Sequence, residues 1–245
     1  MQRNSWIIGS LLAVSIVGTA YAEDMNLTDQ QLEAAIQSRL TDQLGSAEEA
    51  TRLSDFLMRE VLTWKPAVTN IDDADSIIAY AFGNRLDAHG NRLPGPMNQQ
   101  LADVVVDIYN EIHKPVYAQW EIAEEIGDRI PAADLVSIEP LINDNGDVVY
   151  LSTRGVAEEV VQHVGGADNL GTAVVVGFYE HHLRTVETSR ALGINAFGPE
   201  GYPMPHNYDA DSGQPWTRDA ANFILYEVAV RAGVEREQLT NAQDN

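Results

Sequence analysis

Apolar residues follow two rhythms along this chain: short unbroken runs, and stretches with helical spacing. The runs are Ser76 to Phe82 (SIIAYAF), Pro115 to Trp120 (PVYAQW), Leu135 to Ile138, Ala173 to Phe178 (AVVVGF) and Ile194 to Phe197. Runs of this length fit strands buried on both faces. Between them, Met97, Leu101, Val104, Val105, Ile108 and Ile112 trace one helix face. Ile122, Ile126 and Ile130 do the same up to Pro131. Val156, Val160, Val161 and Val164 follow a cap at Ser152 or Thr153 and end at Gly165-Gly166. A further helix opens after Phe178 and runs to Leu192, and the last starts after Thr217 and stops at Gly233. Strands alternating with amphipathic helices predict an α/β fold, a mostly parallel sheet with helices on both faces.

Ahead of the alternating part, Thr28 with Gln31 and Ser46 with Glu49 carry the capping-box pattern, and Leu27 with Leu32 fits a hydrophobic staple. Leu53, Leu57 and Val61 then recur at helical spacing until Trp64-Lys65-Pro66. This predicts an N-terminal helical extension over residues 23–73, an α/β domain over 74–233 and a polar tail over 234–245. Asn143 to Asp147 reads as a turn and Val148 to Leu151 as a return strand. Two loops rich in Gly and Pro, Gly83–Pro96 and Gly198–Trp216, are long enough to matter; the second reads as a covering loop.

The first 22 residues have a different grammar. Arg3 precedes an apolar stretch from Trp6 to Val17, and Ala20-Tyr21-Ala22 forms a small-x-small cleavage site followed by Glu23-Asp24. That order is an export signal, with an uncleaved anchor as the alternative. The expected address is the periplasm of a Gram-negative cell. No later stretch is apolar enough to span a bilayer.

Charge narrows the partners. Among 245 residues, 37 Asp and Glu face 15 Lys and Arg, for a net charge of −22. The only lysines are Lys65 and Lys114. Such a surface does not attract a nucleic-acid polymer or an anionic membrane. It reads either as salt-adapted or as simply soluble through self-repulsion. The absence of cysteine excludes disulfides, thiolate metal sites and a cysteine nucleophile.

In an open parallel sheet, ligands bind outside the carboxyl ends of the strands. Phe178-Tyr179-Glu180-His181-His182-Leu183-Arg184 follows the best strand and opens a helix, whose N-terminus favours an anion. His181 and Arg184 share a helix face: arginine can grip a phosphate or carboxylate, and histidine can move a proton. The alternative is a surface helix start with incidental polar residues. Gly83-Asn84 after the first strand allows close approach of a ligand, or is a plain turn. Glu121 and Glu139 end the second and third strands, as ligand or proton-transfer groups or as solvated helix-start acids. Neither G-x-G-x-x-G, nor a phosphate loop, nor G-x-S-x-G is present. His181, His182, His206 and Asp209 are candidate metal ligands, but H-E-x-x-H is absent, and Asp209-Ala210-Asp211-Ser212-Gly213 lacks the closing glutamate of a calcium loop.

The order of these motifs resembles the SanA/ElyC/YdcF family of bacterial envelope-associated proteins, a domain family of largely unknown function. Ser76 to Gly83 matches its first strand, Ile138-Glu139 and Ser152-Thr153 its strand–Glu and Ser/Thr segment, and Val174 to Val176 with His181-Leu183-Arg184 its strand followed by His-x-x-Arg. The resemblance covers residues 74–232. The chain departs from the pattern at Gly83-Asn84, where paired glycines are usual, at the insertion Pro140–Leu151, and near Ala157-Glu158, where Glu-Asn is usual. The resemblance implies a Rossmann-like three-layer fold. One cytoplasmic member binds S-adenosylmethionine, and exported members are linked to envelope integrity and vancomycin tolerance; neither property specifies a cofactor here.

The expectation is an exported α/β protein that binds a small anionic or nucleotide-like ligand, with His181 as acid/base. Gly83, Asn84, Glu121, Glu139, Thr153, His182 and Arg184 would supply contacts. The rival readings are a non-enzymatic interaction protein of the envelope with a protein partner, and a metal-dependent hydrolase using His181, His182 and His206.

Overall fold

The computed structural model describes residues 27–143, 145 and 148–243. The segment read as an export signal, residues 1–22, lies outside the described residues, as do Asp144, Gly146 and Asp147 of the turn. The chain divides into two compact units at Ser54–Asp55.

The first unit holds helix α1 (Asp29–Leu44) and most of α2 (Ala47–Phe56). The capping box forms as its spacing requires: the Thr28 hydroxyl accepts from the Gln31 amide, and Gln31 Oε1 accepts from the Thr28 amide. Gly45, at φ 68°, ends α1 in the left-handed conformation. Ser54 Oγ donates to the Glu33 carbonyl at 3.3 Å.

The second unit opens with a π-helical turn over Leu57–Val61, closed by the Leu62 amide on the Leu57 carbonyl. Its strands are β1 (Val68–Thr69), β2 (Ser76–Ala79), β3 (Arg85–Leu86), β4 (Arg92–Leu93), β5 (Val116–Gln119), β6 (Leu135–Ile138), β7 (Leu141–Ile142), β8 (Val148–Val149), β9 (Thr172–Val176) and β10 (Asn195–Pro199). Its helices are α3 (Pro96–Ile112), α4 (Trp120–Ile126), α5 (Thr153–Val164), α6 (Tyr179–Ala191) and α7 (Ala220–Gln243). Six strands form one parallel sheet in the order β1-β10-β9-β2-β5-β6. β3–β4 and β7–β8 are small antiparallel hairpins in the connecting loops.

The central strands are apolar over most of their length because both faces are covered. Ile77, Ala79, Val174 and Val176 pack with α3 and α4 through Leu101, Val105, Ile108 and Ile122. Ile78, Ala173 and Val175 turn to the other side, against Val156 and Val160 of α5 and Val186 of α6. Burying each such Val or Ile side chain contributes roughly 1.5–3 kcal/mol. The result is a Rossmann-like α/β sandwich of three layers, as the alternating pattern predicts.

Two boundaries differ from the sequence reading. The span read as helical extension supplies β1, which pairs in parallel with β10 through Val68–Gly198 and Thr69–Pro199. A two-residue edge strand has no periodicity to read. The last helix also runs straight through Gly233 to Gln243, so the polar tail is largely helical. One interior glycine costs a helix only about 1 kcal/mol. Here Glu235, beyond that glycine, is tied to Arg59 at 2.5 Å.

Candidate functional site

The chain leaves β2 toward β5 and β6, then returns on the other side of β2 through β9 and β10. The strand order therefore reverses between β2 and β9, where an open α/β sheet forms its ligand crevice. Here that crevice is filled by the protein's own rings. Phe82, after β2, stacks on Phe178, after β9, at 3.8 Å between centroids. Phe223 of α7 and Tyr208 of the 198–216 loop close on them edge-on at 4.6 and 4.9 Å.

Gly83 meets its own chain in the same way. At φ 65° its missing Cβ would stand 2.8 Å from Met97 Cε and from Thr217 Oγ1, and 2.9 Å from Ser212 Oγ. Asn84 is buried beneath the same loop, and its carbonyl accepts from the Gly213 amide at 2.7 Å. The glycine is needed for close approach, but what approaches is the covering loop. Arg85 anchors that loop by a two-pronged bond to Asp209, at 2.8 and 3.0 Å.

A polar cluster lies beside this plug, where the N-termini of α5 and α6 converge. Thr153 is the first residue of α5, held in place by the Ser152 cap on the Gly155 amide. Its Oγ1 lies 2.8 Å from Arg184 Nη1 and 3.3 Å from His181 Nε2. Thr153, which the sequence placed apart from His181 and Arg184, thus meets them. The sequence reading missed their fourth member. Glu227 of α7 is fully buried and accepts from Arg184 Nε at 2.8 and 2.9 Å and from Arg231 Nε at 3.3 Å. Its Oε2 faces His181 Nδ1 at 3.6 Å. Arg231 is secured in turn by the carbonyls of Glu60 and Thr63 and by the Trp64 ring, 4.5 Å from its guanidinium carbon. The available signal was Phe223, Glu227 and Arg231 at successive i, i+4 positions, which puts two charges on the apolar face of a helix.

Burial sets the proton states. It pushes His181 down to about 4, helped by the nearby Arg184 and opposed by Glu227. The imidazole is therefore neutral at pH 7. Burial alone would raise the Glu227 carboxyl, but His181 and the Arg184 guanidinium outweigh it and hold the group well below the usual carboxylate range. Since His181 is itself neutral at pH 7, the arginines supply that pull.

The remaining candidates lie elsewhere. Glu121 is fully buried in the first turn of α4, just past the end of β5, where Oε1 accepts from the Tyr150 hydroxyl and Oε2 has no hydrogen-bond partner. Gln119 joins this group, donating to Tyr150 Oη at 3.0 Å and accepting from the Ala81 amide at 3.1 Å. Burial raises the Glu121 carboxyl to about 7 against the pull of the Tyr150 hydroxyl. Glu139 is exposed and accepts from Ser137 at 2.6 Å. His182 turns away from His181, 2.8 Å from the Val175 carbonyl. Its ring sits where a side chain at residue 198 would go, 2.9 Å from the missing Cβ of Gly198. The candidate metal ligands point to different partners: His181 faces Glu227, His182 faces Val175, and Asp209 holds Arg85. Among the described residues, no group of three or more His, Asp or Glu side chains is placed to hold a metal ion.

A cleft of about 490 Å³, with no counterpart in the sequence reading, lies on the other flank of the first turn of α6. Trp64, Tyr179, Tyr202 and Met204 give it apolar walls, with Lys65 and His206 among its polar residues. That volume is in the range of small-molecule sites. Among the described residues, no helix is long and apolar enough to cross a membrane. Comparison of the chain with family models, curated proteins and solved structures finds no match.

Proposed function

We propose that this chain is an exported protein of the bacterial envelope that binds a small anionic or nucleotide-like ligand at the strand carboxyl ends. Arg184 and Thr153 grip the anion, and His181 stands beside it as acid/base. The observation that carries this reading is the meeting of Thr153, His181 and Arg184 at two helix N-termini, with the Glu227 carboxylate on Arg184 Nε. A guanidinium that already holds one oxyanion has the geometry for another. Arg184 and Thr153 both keep some exposure to solvent, so a ligand has a way in. The test is calorimetric titration with inorganic phosphate. Arg184→Ala should weaken binding at least tenfold with the fold retained by circular dichroism; unchanged affinity would sink the proposal.

One observation favours a partner protein instead. Trp216 stacks on Tyr226 at 5.7 Å, and both are exposed together with Leu225, which is 72% exposed. If this patch is the functional surface, Leu225→Lys should abolish capture of an envelope partner and leave phosphate binding intact.

A further inference from the structure

The contacts around Thr153 dictate where its proton goes. Arginine has only donors, so Thr153 Oγ1 accepts from Arg184 Nη1 at 2.8 Å. The hydroxyl proton is then free to point at His181 Nε2, 3.3 Å away. A neutral imidazole that accepts at Nε2 carries its hydrogen on Nδ1. Nδ1 is buried, has no hydrogen-bond partner and faces Glu227 Oε2 at 3.6 Å. That is a little longer than a hydrogen bond, as catalytic contacts often are before substrate binds. Hydroxyl, imidazole and carboxylate thus follow one another in the order that activates a nucleophile, with a guanidinium on the attacking oxygen.

We propose that Thr153, His181 and Glu227 form a hydroxyl-activating relay, and that this site hydrolyses phosphomonoesters through a phosphothreonine. The proposal rests on the anion-binding reading above and names its reaction. Thr153 Oγ1 attacks phosphorus, and the bond from phosphorus to the ester oxygen breaks. The Thr153 proton passes to His181 Nε2 and on to that oxygen, which leaves as an alcohol. Water then attacks the phosphothreonine and gives its proton to His181. The bond from phosphorus to Oγ1 breaks, inorganic phosphate departs, and the proton returns to Thr153. Arg184 faces the charge that builds on the phosphoryl oxygens, and the partial positive charge at the N-terminus of α5 favours it. Glu227 touches no substrate; it is a positioning residue that holds the His181 tautomer.

The probe is diisopropyl fluorophosphate, which phosphorylates activated hydroxyls, applied to the purified protein and followed by intact mass and peptide mapping. Inorganic phosphate binding is measured on the same sample. One adduct is expected, on Thr153, absent in Thr153→Val. His181→Gln should slow labelling at least about 100-fold, the scale of a lost general base. In the unaltered protein the labelling rate should fall by half near pH 4, where His181 gains its proton. Glu227→Gln should move that midpoint lower, a change that a merely structural carboxylate would not produce. Phosphate binding without a Thr153 adduct overturns the relay and leaves the anion site standing. Loss of both phosphate binding and labelling overturns both. Labelling of Thr153 that ignores His181→Gln, or that shows no fall through pH 4, overturns the role of the histidine; the pH profile decides this even where His181→Gln does not fold.

Discussion

The fold disfavours the charged form of Glu121. This residue is fully buried, and one oxygen has no partner at all. Its carboxyl is raised from an ordinary 4.5 to about 7 by burial, against the Tyr150 hydroxyl. The folded value lies above the unfolded one, so its contribution to stability is present in full below about pH 4.5. It is lost as the pH rises toward and past 7. At about 1.4 kcal/mol per pH unit of displacement, the loss totals roughly 3 kcal/mol. Glu121→Gln keeps an oxygen to accept from Tyr150 and removes the charge. Relative to the parent, the variant should therefore gain about 2–3 kcal/mol between pH 5 and pH 8. Its absolute stability at pH 5 should be equal or slightly lower, because the new amide is buried in the same unpartnered place. Urea unfolding of both proteins at several pH values, followed by far-UV circular dichroism, measures the difference directly. A difference that stays constant from pH 5 to pH 8 would show that Glu121 is ionised in the folded state throughout, and the reasoning would be wrong.

Two other expectations rest on equally local geometry. His181 has its folded value lowered to about 4, so stability should fall as pH drops from about 6.5 toward 4, and His181→Gln should flatten that limb of a melting-temperature profile. Gly83→Ala forces a left-handed residue to carry a Cβ 2.8 Å from Met97 Cε and Thr217 Oγ1; a loss of at least about 1–2 kcal/mol is expected, and an unchanged midpoint in urea would refute the close approach.

The cluster at Thr153, His181 and Arg184 also shows how a site can be half visible from the chain. His181 and Arg184 follow β9, which is apolar enough to recognise, and the rule that ligands sit at strand carboxyl ends selects them without a motif; Thr153 follows β8, a hairpin strand outside the parallel sheet, where the rule has no force. Glu139 obeys the same rule yet lies exposed, hydrogen-bonded to nearby Ser137, because the rule selects an edge of the sheet and not a direction for each side chain. Gly83 was a correct sign of close packing, but a glycine cannot say whether a ligand or the chain itself fills the space.

Local pattern determined most of the architecture. The unbroken runs at Ile77-Ile78 and Ala173–Val176 require cover on both faces, and cover on both faces requires helices between parallel strands. The cap at Thr28 placed one helix start to the residue, and the choice of Ser152 or Thr153 placed another to within one, since a cap is an interaction within four residues. Tertiary structure alone decided what closes the sheet. β1 exists because β10 offers it an edge. Phe223 and Tyr208 fill the crevice because α7 and its preceding loop fold back over it. Glu227 became the counter-charge of Arg184 across 43 residues of sequence. Such partners are set by where remote segments land, and hydrophobic spacing within any one segment carries no record of that.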